Sequence, residues 1–275
     1  NQGTGAGKFI KTLGSEQAWV NSTGSSDTSW VKGGATGSNI ALTVNNSTNS
    51  ATTIQWIKIT RPSSNYTMTA GSATGWSAAV TSADVTFTGS TIAANASTAF
   101  TVTATIGSSD EAQTAWTIDV DDATDGASST STVASSANAL KTGIDATAPT
   151  VTMSGVTVNS DTQITATANT ATDASSGLHS SAPYWFDETS GGSGATDSTA
   201  WQSAVTFADT GLSAGTQYCY RVKARDAVSN ESSYTSTSCG TTTGSASTEG
   251  GSSGVPGIVS GGGVAVQLPP LEIAD

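Results

Sequence analysis

The sequence predicts an all-β protein: two antiparallel β-sandwiches in tandem, with extended strands at the N- and C-terminal ends. Three observations predict it. Apolar and polar residues alternate at period two, as in Phe100, Val102, Ala104 and Ile106 or Tyr218, Tyr220, Val222 and Ala224, and no helical period of any length occurs. Clusters of Ser, Gly, Asn and Asp break these runs at the short, regular spacing of sandwich strands. At 275 residues the chain has room for two domains, and a Ser/Thr/Ala-rich stretch divides it near the middle.

Taken in order, residues 1–37 are an N-terminal extension, Gly/Ser/Thr-rich with apolar islands at 8–13, 18–20 and 29–31 that read as short strands. The first sandwich is expected over 38–122. Ile40, Leu42 and Val44 alternate with polar residues. In the next strand Ile54, Trp56 and Lys58 take one face and Ile57 and Ile59 the other, until Arg61-Pro62 ends it, because proline cannot donate to a ladder. Further strands are expected at 66–70, 76–80, 85–88, 99–106 and 115–120. Residues 123–144 read as a linker of modest length. The second sandwich, 145–243, is expected to have strands at 150–153, 163–168, 184–187, 205–208, 217–224 and 233–241, with Trp185 in its core or beside Trp201. Residues 244–275 read as a Gly/Ser tether ending in an apolar strand, where Val264, Val266 and Leu268 alternate with Ala265 and Gln267 and are followed by Leu271 and Ile273.

A family resemblance lies in the second half. The run Gly211-Leu212-Ser213-Ala214-Gly215-Thr216-Gln217-Tyr218, followed by Tyr220-Arg221-Val222-Lys223-Ala224-Arg225-Asp226, resembles the E–F corner and F strand of a fibronectin type III domain. The resemblance implies that Leu212 and Tyr218 form that family's tyrosine corner. Asp145-Ala146-Thr147-Ala148-Pro149-Thr150-Val151 resembles the entry of such domains in bacterial surface proteins, and residues 172–177 resemble their B–C region. Residues of about 38–122 resemble the immunoglobulin-like modules of prokaryotic cell-surface proteins, through Ile57-Lys58-Ile59-Thr60-Arg61-Pro62, Gly75-Trp76 and Phe100-Thr101-Val102-Thr103-Ala104. Both sandwiches are therefore expected to be immunoglobulin-like. This architecture serves many unrelated roles and by itself names none.

Lys and Arg number 9 against 21 Asp and Glu, a net charge of −12. Such a surface has no basic patch with which to hold nucleic acid or an anionic membrane. No run of 18 apolar residues occurs, so no membrane span is expected. Without an initial Met or a signal peptide, the chain is expected to be exported and processed from a precursor. Cys219 and Cys239 are expected as neighbours on the F–G hairpin. A disulfide there would close a loop of about 20 residues and contribute roughly 3 kcal/mol; two reduced thiols are the other reading. A disulfide implies an extracellular or cell-surface location.

Catalysis is not expected. His179 is the only histidine and sits in a Gly/Ser-rich loop, so His-based metal triads are excluded and no nucleophile-elbow motif accompanies it. The pairs Asp110-Glu111, Asp121-Asp122 and Asp187-Glu188 lack a cleft across which to act. Calcium is the expected ion. Asp145 at the entry, Asp173 in the B–C loop and Asp226 after strand F would share one pole of the second sandwich, with Asp121 approaching from the end of the first. Turn capping explains the same aspartates without an ion. Sequons at Asn21, Asn45, Asn46, Asn65, Asn95 and Asn230 are glycosylation candidates. Trp19, Trp30 and Trp76 are least explained by core strands and suit glycan stacking or subunit contacts.

These features point to a structural subunit of an extracellular filament or surface layer, with copies of itself as partners. The terminal strand of Val264, Val266, Leu268, Leu271 and Ile273 would add to a neighbour's sheet edge; the other reading has it fold onto its own domain. About five buried aliphatic side chains would contribute on the order of 10 kcal/mol before ordering costs. The alternative function is a glycan- or surface-binding accessory module of a larger secreted adhesin or enzyme.

Overall fold

The computed structural model describes residues 8–13, 16–22, 28–46, 53–121, 131–132, 140–190 and 200–244, and among these every regular element is a β-strand. The apolar islands at the start of the chain are β1 (Lys8–Leu13), β2 (Glu16–Ser22) and β3 (Thr28–Lys32). The first sandwich continues with β4 (Ser38–Asn46), β5 (Trp56–Thr60), β6 (Tyr66–Ser72), β7 (Ser77–Val80), β8 (Asp84–Thr88), β9 (Ser97–Ile106), β10 (Glu111–Ala115) and β11 (Thr117–Asp121). Two short elements follow, β12 (Ser131–Thr132) and β13 (Lys141–Asp145).

A sheet of order β1-β2-β4-β9-β6 packs against one of order β12-β11-β5-β8-β7, and a third, β10-β13-β3, completes this body. The alternation read from the sequence sets which side chains meet. In β9, Phe100, Val102, Ala104 and Ile106 are buried, and Ile57, Ile59, Val85 and Phe87 answer from the opposite sheet. Phe87 meets Phe100 edge-to-face at 4.9 Å, which joins the two layers.

Two sequence boundaries move. The expected linker 123–144 ends inside this body: β13 pairs antiparallel with β10 and parallel with β3, and Leu140 and Ile144 are buried in the first core. The N-terminal islands belong to it as well, because β2 pairs with β4 and β3 with β13. Glycine is required at position 143: a Cβ there would lie 2.5 Å from the Trp30 ring. The first sandwich therefore runs through Asp145, and no free linker separates it from the second.

The second sandwich is built from β14 (Met153–Val158), β15 (Gln163–Ala168), β16 (Tyr184–Glu188), β17 (Thr206–Thr210), β18 (Gln217–Ala224) and β19 (Ser238–Thr241). Sheets β14-β15-β17 and β16-β18-β19 enclose a core of Ile164, Ala166, Tyr184, Phe186, Tyr218, Tyr220 and Val222. In immunoglobulin-like terms these are the A-B-E and C-F-G sheets. The last strand is shorter than the expected 233–241. Ser232 and Thr235 dock on β18 through their hydroxyls, which accept from the amides of Ala224 and Val222, so this stretch makes an irregular ladder. The Ser213 amide donates to the Tyr218 hydroxyl at 2.9 Å beside buried Leu212, which is the tyrosine corner.

Register fixes which ends face each other. β13 ends at the joint in Asp145, alongside the β10 end at Glu111, and the amide of Gly107 bonds to Asn65 just before β6. β6 therefore leaves the joint and β7 returns toward it, so Ser77 lies at the outer pole of the first sandwich. In the second, β18 ends toward the joint at Asp226, and Gln217 pairs with Thr241 at the opposite, outer pole.

Candidate functional site

Asp145 closes β13 and is fully buried, yet its side chain serves the other sandwich. One carboxylate oxygen accepts from the Thr147 amide at 3.1 Å and the other from the Ser176 amide at 3.0 Å. Its backbone carbonyl accepts from the Gly33 amide at 2.8 Å and from the Asn230 side-chain amide at 2.9 Å. Asp226, also buried, accepts from the amides of Val228 and Asn230 and from Asn230 Nδ2. Asp173 accepts from the amides of Ser175 and Gly177. Each aspartate thus caps a loop of its own, as turn chemistry requires.

The three loops also bring their carboxylates together. One oxygen from each of Asp145, Asp173 and Asp226 lies within 4.8 Å of the others. Two oxygens that each sit about 2.4 Å from one calcium ion are at most about 4.8 Å apart, so the spacing and the hard oxygen donors fit that cation. Burial pushes the Asp226 carboxyl above its usual range; the bonds from Asn230 and Val228 oppose the rise and the neighbouring Asp145 charge adds to it.

Asp121 does not join them. Its partner in β5 is Trp56, at the end of the first sandwich away from the joint, because β11 starts near the joint opposite Thr60 and runs outward. The expected fourth ligand thus lies at the wrong pole. The group that does reach the joint from the first sandwich is Asp110, which accepts from the Ala146 amide and the Thr147 hydroxyl; the latter bond holds its carboxyl below the usual range. Lys32 adds a bond to the Ser229 carbonyl at 2.6 Å, at a residue held in the left-handed region with φ 67°. The His179 ring accepts from the Ala182 amide at 3.2 Å and caps its own loop.

The other candidates are distributed as follows. Cys219 and Cys239 face each other across β18 and β19 as a disulfide of 2.04 Å. Asn65 and Asn95 are exposed and Asn45 is half-buried, whereas the side chain of Asn21 lies outside the described residues. Asn46 and Asn230 are buried, with their amides bonded to the Ile92 carbonyl and to Asp145 and Asp226, so neither presents a nitrogen to a glycan. Val264, Val266, Leu268, Leu271 and Ile273 also lie outside the described residues. Trp76 packs on Phe100 at 5.4 Å and Trp30 against Gly143, which commits both to the first body.

The expected contact of Trp185 with Trp201 is present, and the cations stacked around it were not anticipated. On the outer face of β16 and β18, Trp185 and Trp201 meet at 5.8 Å, Arg225 stacks over Trp201 at 4.5 Å, and Arg221 stacks over Tyr234 at 4.1 Å. The signal was present in the alternation of Arg221 and Lys223 with core residues, and in the register that sets Trp185 opposite Lys223.

Strand order, the tyrosine corner and a separate core in each body define a tandem of immunoglobulin-like sandwiches, the second of fibronectin type III architecture. No family model matches the chain, and no curated protein matches it. Among solved structures it is similar to FN3tt (19% identity, TM-score 0.26, covering 35% of this chain and 97% of that one). It is also similar to domains A168–A170 of titin (14% identity, TM-score 0.39, 82% of this chain and 66% of that one). A third likeness is to the C-terminal domain of the Streptococcus agalactiae AgI/II polypeptide BspA (8% identity, TM-score 0.40, 85% of this chain and 98% of that one).

Proposed function

We propose that this chain is a structural subunit of an extracellular filament or surface layer, joined to copies of itself by β-strand addition of the segment that holds Val264, Val266, Leu268, Leu271 and Ile273. The observation that carries the reading is the joint. The first sandwich ends and the second begins at Asp145, whose carbonyl and carboxylate are both bonded across the boundary. Tension along such a chain passes through buried and half-buried hydrogen bonds instead of taking up slack, which suits a load-bearing subunit. The Cys219–Cys239 disulfide supports export. Calcium at Asp145, Asp173 and Asp226 would neutralise three converging carboxylates and stiffen the joint further. Glycans, where attached, would sit first on the exposed Asn95, since the side-chain amide of Asn65, although exposed, donates to Glu111 at 2.7 Å.

Removal of residues 255–275 tests the reading. Sedimentation of the full chain should show polymers and of the truncated chain folded monomers; equal assembly of the two defeats the proposal. A second reading, a glycan- or surface-binding module, draws on the Trp185–Trp201 pair, since Trp30 and Trp76 are spent on packing. Glycan-array binding that disappears with Trp201→Ala would favour it.

A further inference from the structure

We propose that the edge of β7 in the first sandwich is the place that receives the C-terminal strand of a second copy. This rests on the reading of the chain as a strand-donating subunit and names the receiving site.

An exposed sheet edge invites another strand, and proteins guard such edges with bulges, charges, prolines or inward-pointing acids. Most edges here are guarded. β1, β6, β10 and β14 are each bulged where they pair, between Phe9 and Thr12, Met68 and Ala70, Glu111 and Thr114, and Met153 and Gly155. β16 and β17 carry the buried acids Glu188 and Asp209, and β3 ends in Lys32. β12 has two residues. β19 has no bulge or charge, but its residues Ser238, Cys239, Gly240 and Thr241 offer an incoming strand almost no apolar surface.

β7 differs from all of these. It is Ser77-Ala78-Ala79-Val80, regular in register along its whole length and, among the described residues, paired on one side only, with β8. All four residues are exposed, and Val80, at 41%, is the one large apolar side chain left exposed among the described residues. Four residues of open backbone beside small and apolar side chains match the length and character of the run Val264-Ala265-Val266-Gln267-Leu268.

Geometry selects the neighbour over the same chain. The second sandwich releases its chain at the outer pole, where Thr243 bonds to Ser160 and Gly215 bonds to Thr243. β7 begins at the outer pole of the first sandwich. A ten-residue strand such as β9 is about 33 Å long, so with the sandwiches end to end the start of a chain's own β7, at Ser77, lies roughly 60 Å from the point of release, and Val80, where β7 has run back toward the joint, roughly 50 Å. The twenty steps from Gly244 to Val264 span at most about 70 Å, and a Gly/Ser-rich chain of that length averages about 25 Å end to end. A copy stacked pole to pole puts its β7 within that shorter reach. The contact joins different surfaces on the two copies, so it runs head to tail and extends as a filament wherever the rotation between copies does not close a ring.

The test compares three proteins by sedimentation and electron microscopy: the native chain, the chain lacking residues 255–275, and the full-length double variant Ala79→Lys, Val80→Lys. Both substitutions fall at exposed positions, and circular dichroism of each protein checks that the fold is kept. The proposal expects polymers from the first only, and at least tenfold weaker binding of a synthetic peptide of residues 261–275 to the double variant once its own tail is removed. If the tail deletion abolishes assembly while the double variant assembles and binds peptide as the native edge does, β7 is not the acceptor although the strand-donation reading stands. If the tail deletion assembles normally, that reading fails and this site with it. If the double variant cannot keep its fold, Val80→Thr, which keeps the β-branched shape, must weaken peptide binding in its place, and unchanged binding overturns the assignment.

Discussion

The side-chain amide of Asn230 donates to the carbonyl oxygen of Asp145 at 2.9 Å and to the carboxylate of Asp226 at 2.7 Å, so one buried residue ties the end of the first sandwich to the second. Replacing it by alanine leaves two buried acceptors short of a donor. Asn230→Ala should cost roughly 2–3 kcal/mol in chemical denaturation and widen the range of interdomain angles seen by small-angle scattering. A variant with unchanged stability and scattering would show that the joint is held elsewhere.

Asp110 governs the acid side of the joint. The hydrogen bond from Thr147 keeps its carboxyl below the usual range in the folded chain. A depressed folded value means that its contribution is present above the unfolded carboxyl range and is lost as pH falls through the lower, folded value. Asp110→Asn should therefore flatten the acid limb of the stability curve below about pH 4 and leave neutral pH little changed. An identical acid limb in the variant would remove Asp110 from the joint.

Calcium should raise the melting temperature and chelator should lower it, because an ion that binds only the folded joint stabilises by about 2.7 kcal/mol at a hundred times its dissociation constant. Asp173→Asn should abolish that response while the protein stays folded, since Asp173 is the least buried of the three. Melting that ignores both calcium and chelator would leave the aspartates with turn capping alone.

The disulfide stabilises one sandwich. Cys219 and Cys239 are 20 positions apart and both lie in the second body, so reduction should lower that body's stability by up to about 3 kcal/mol and leave the first unaffected. Two resolved calorimetric transitions, of which only one moves, would show this. A shift of both would mean that the joint makes the two sandwiches unfold together.

Gly143→Ala separates the two accounts of Trp30. Its new methyl would press on the indole ring and should cost about 1–3 kcal/mol of first-sandwich stability, with a changed tryptophan fluorescence spectrum. A neutral substitution would mean that β3 is not packed on β13.

Legibility in the sequence followed locality. β18 was readable residue by residue because its inward set, Tyr218, Tyr220, Val222 and Ala224, is buried and its outward set, Arg221 and Lys223, is charged. The three joint aspartates were readable because each sits at a loop position that a sandwich sends to one pole. β13 was not, since Lys141-Thr142-Gly143-Ile144-Asp145 is too short and polar to show a period. It becomes a strand only through a parallel partner more than a hundred positions away, β3, and through the Trp116 indole that bonds the Thr142 hydroxyl. Asp121 was misplaced for the same reason: the direction of β11 depends on its pairing with β5, which no local pattern encodes.

The most direct measurement is a negative-stain image of the purified full-length chain. Strand donation between stiff two-sandwich units predicts unbranched filaments with an axial repeat near 60–70 Å, the length of about two sandwiches end to end. A field of separate two-lobed particles at every concentration would contradict it.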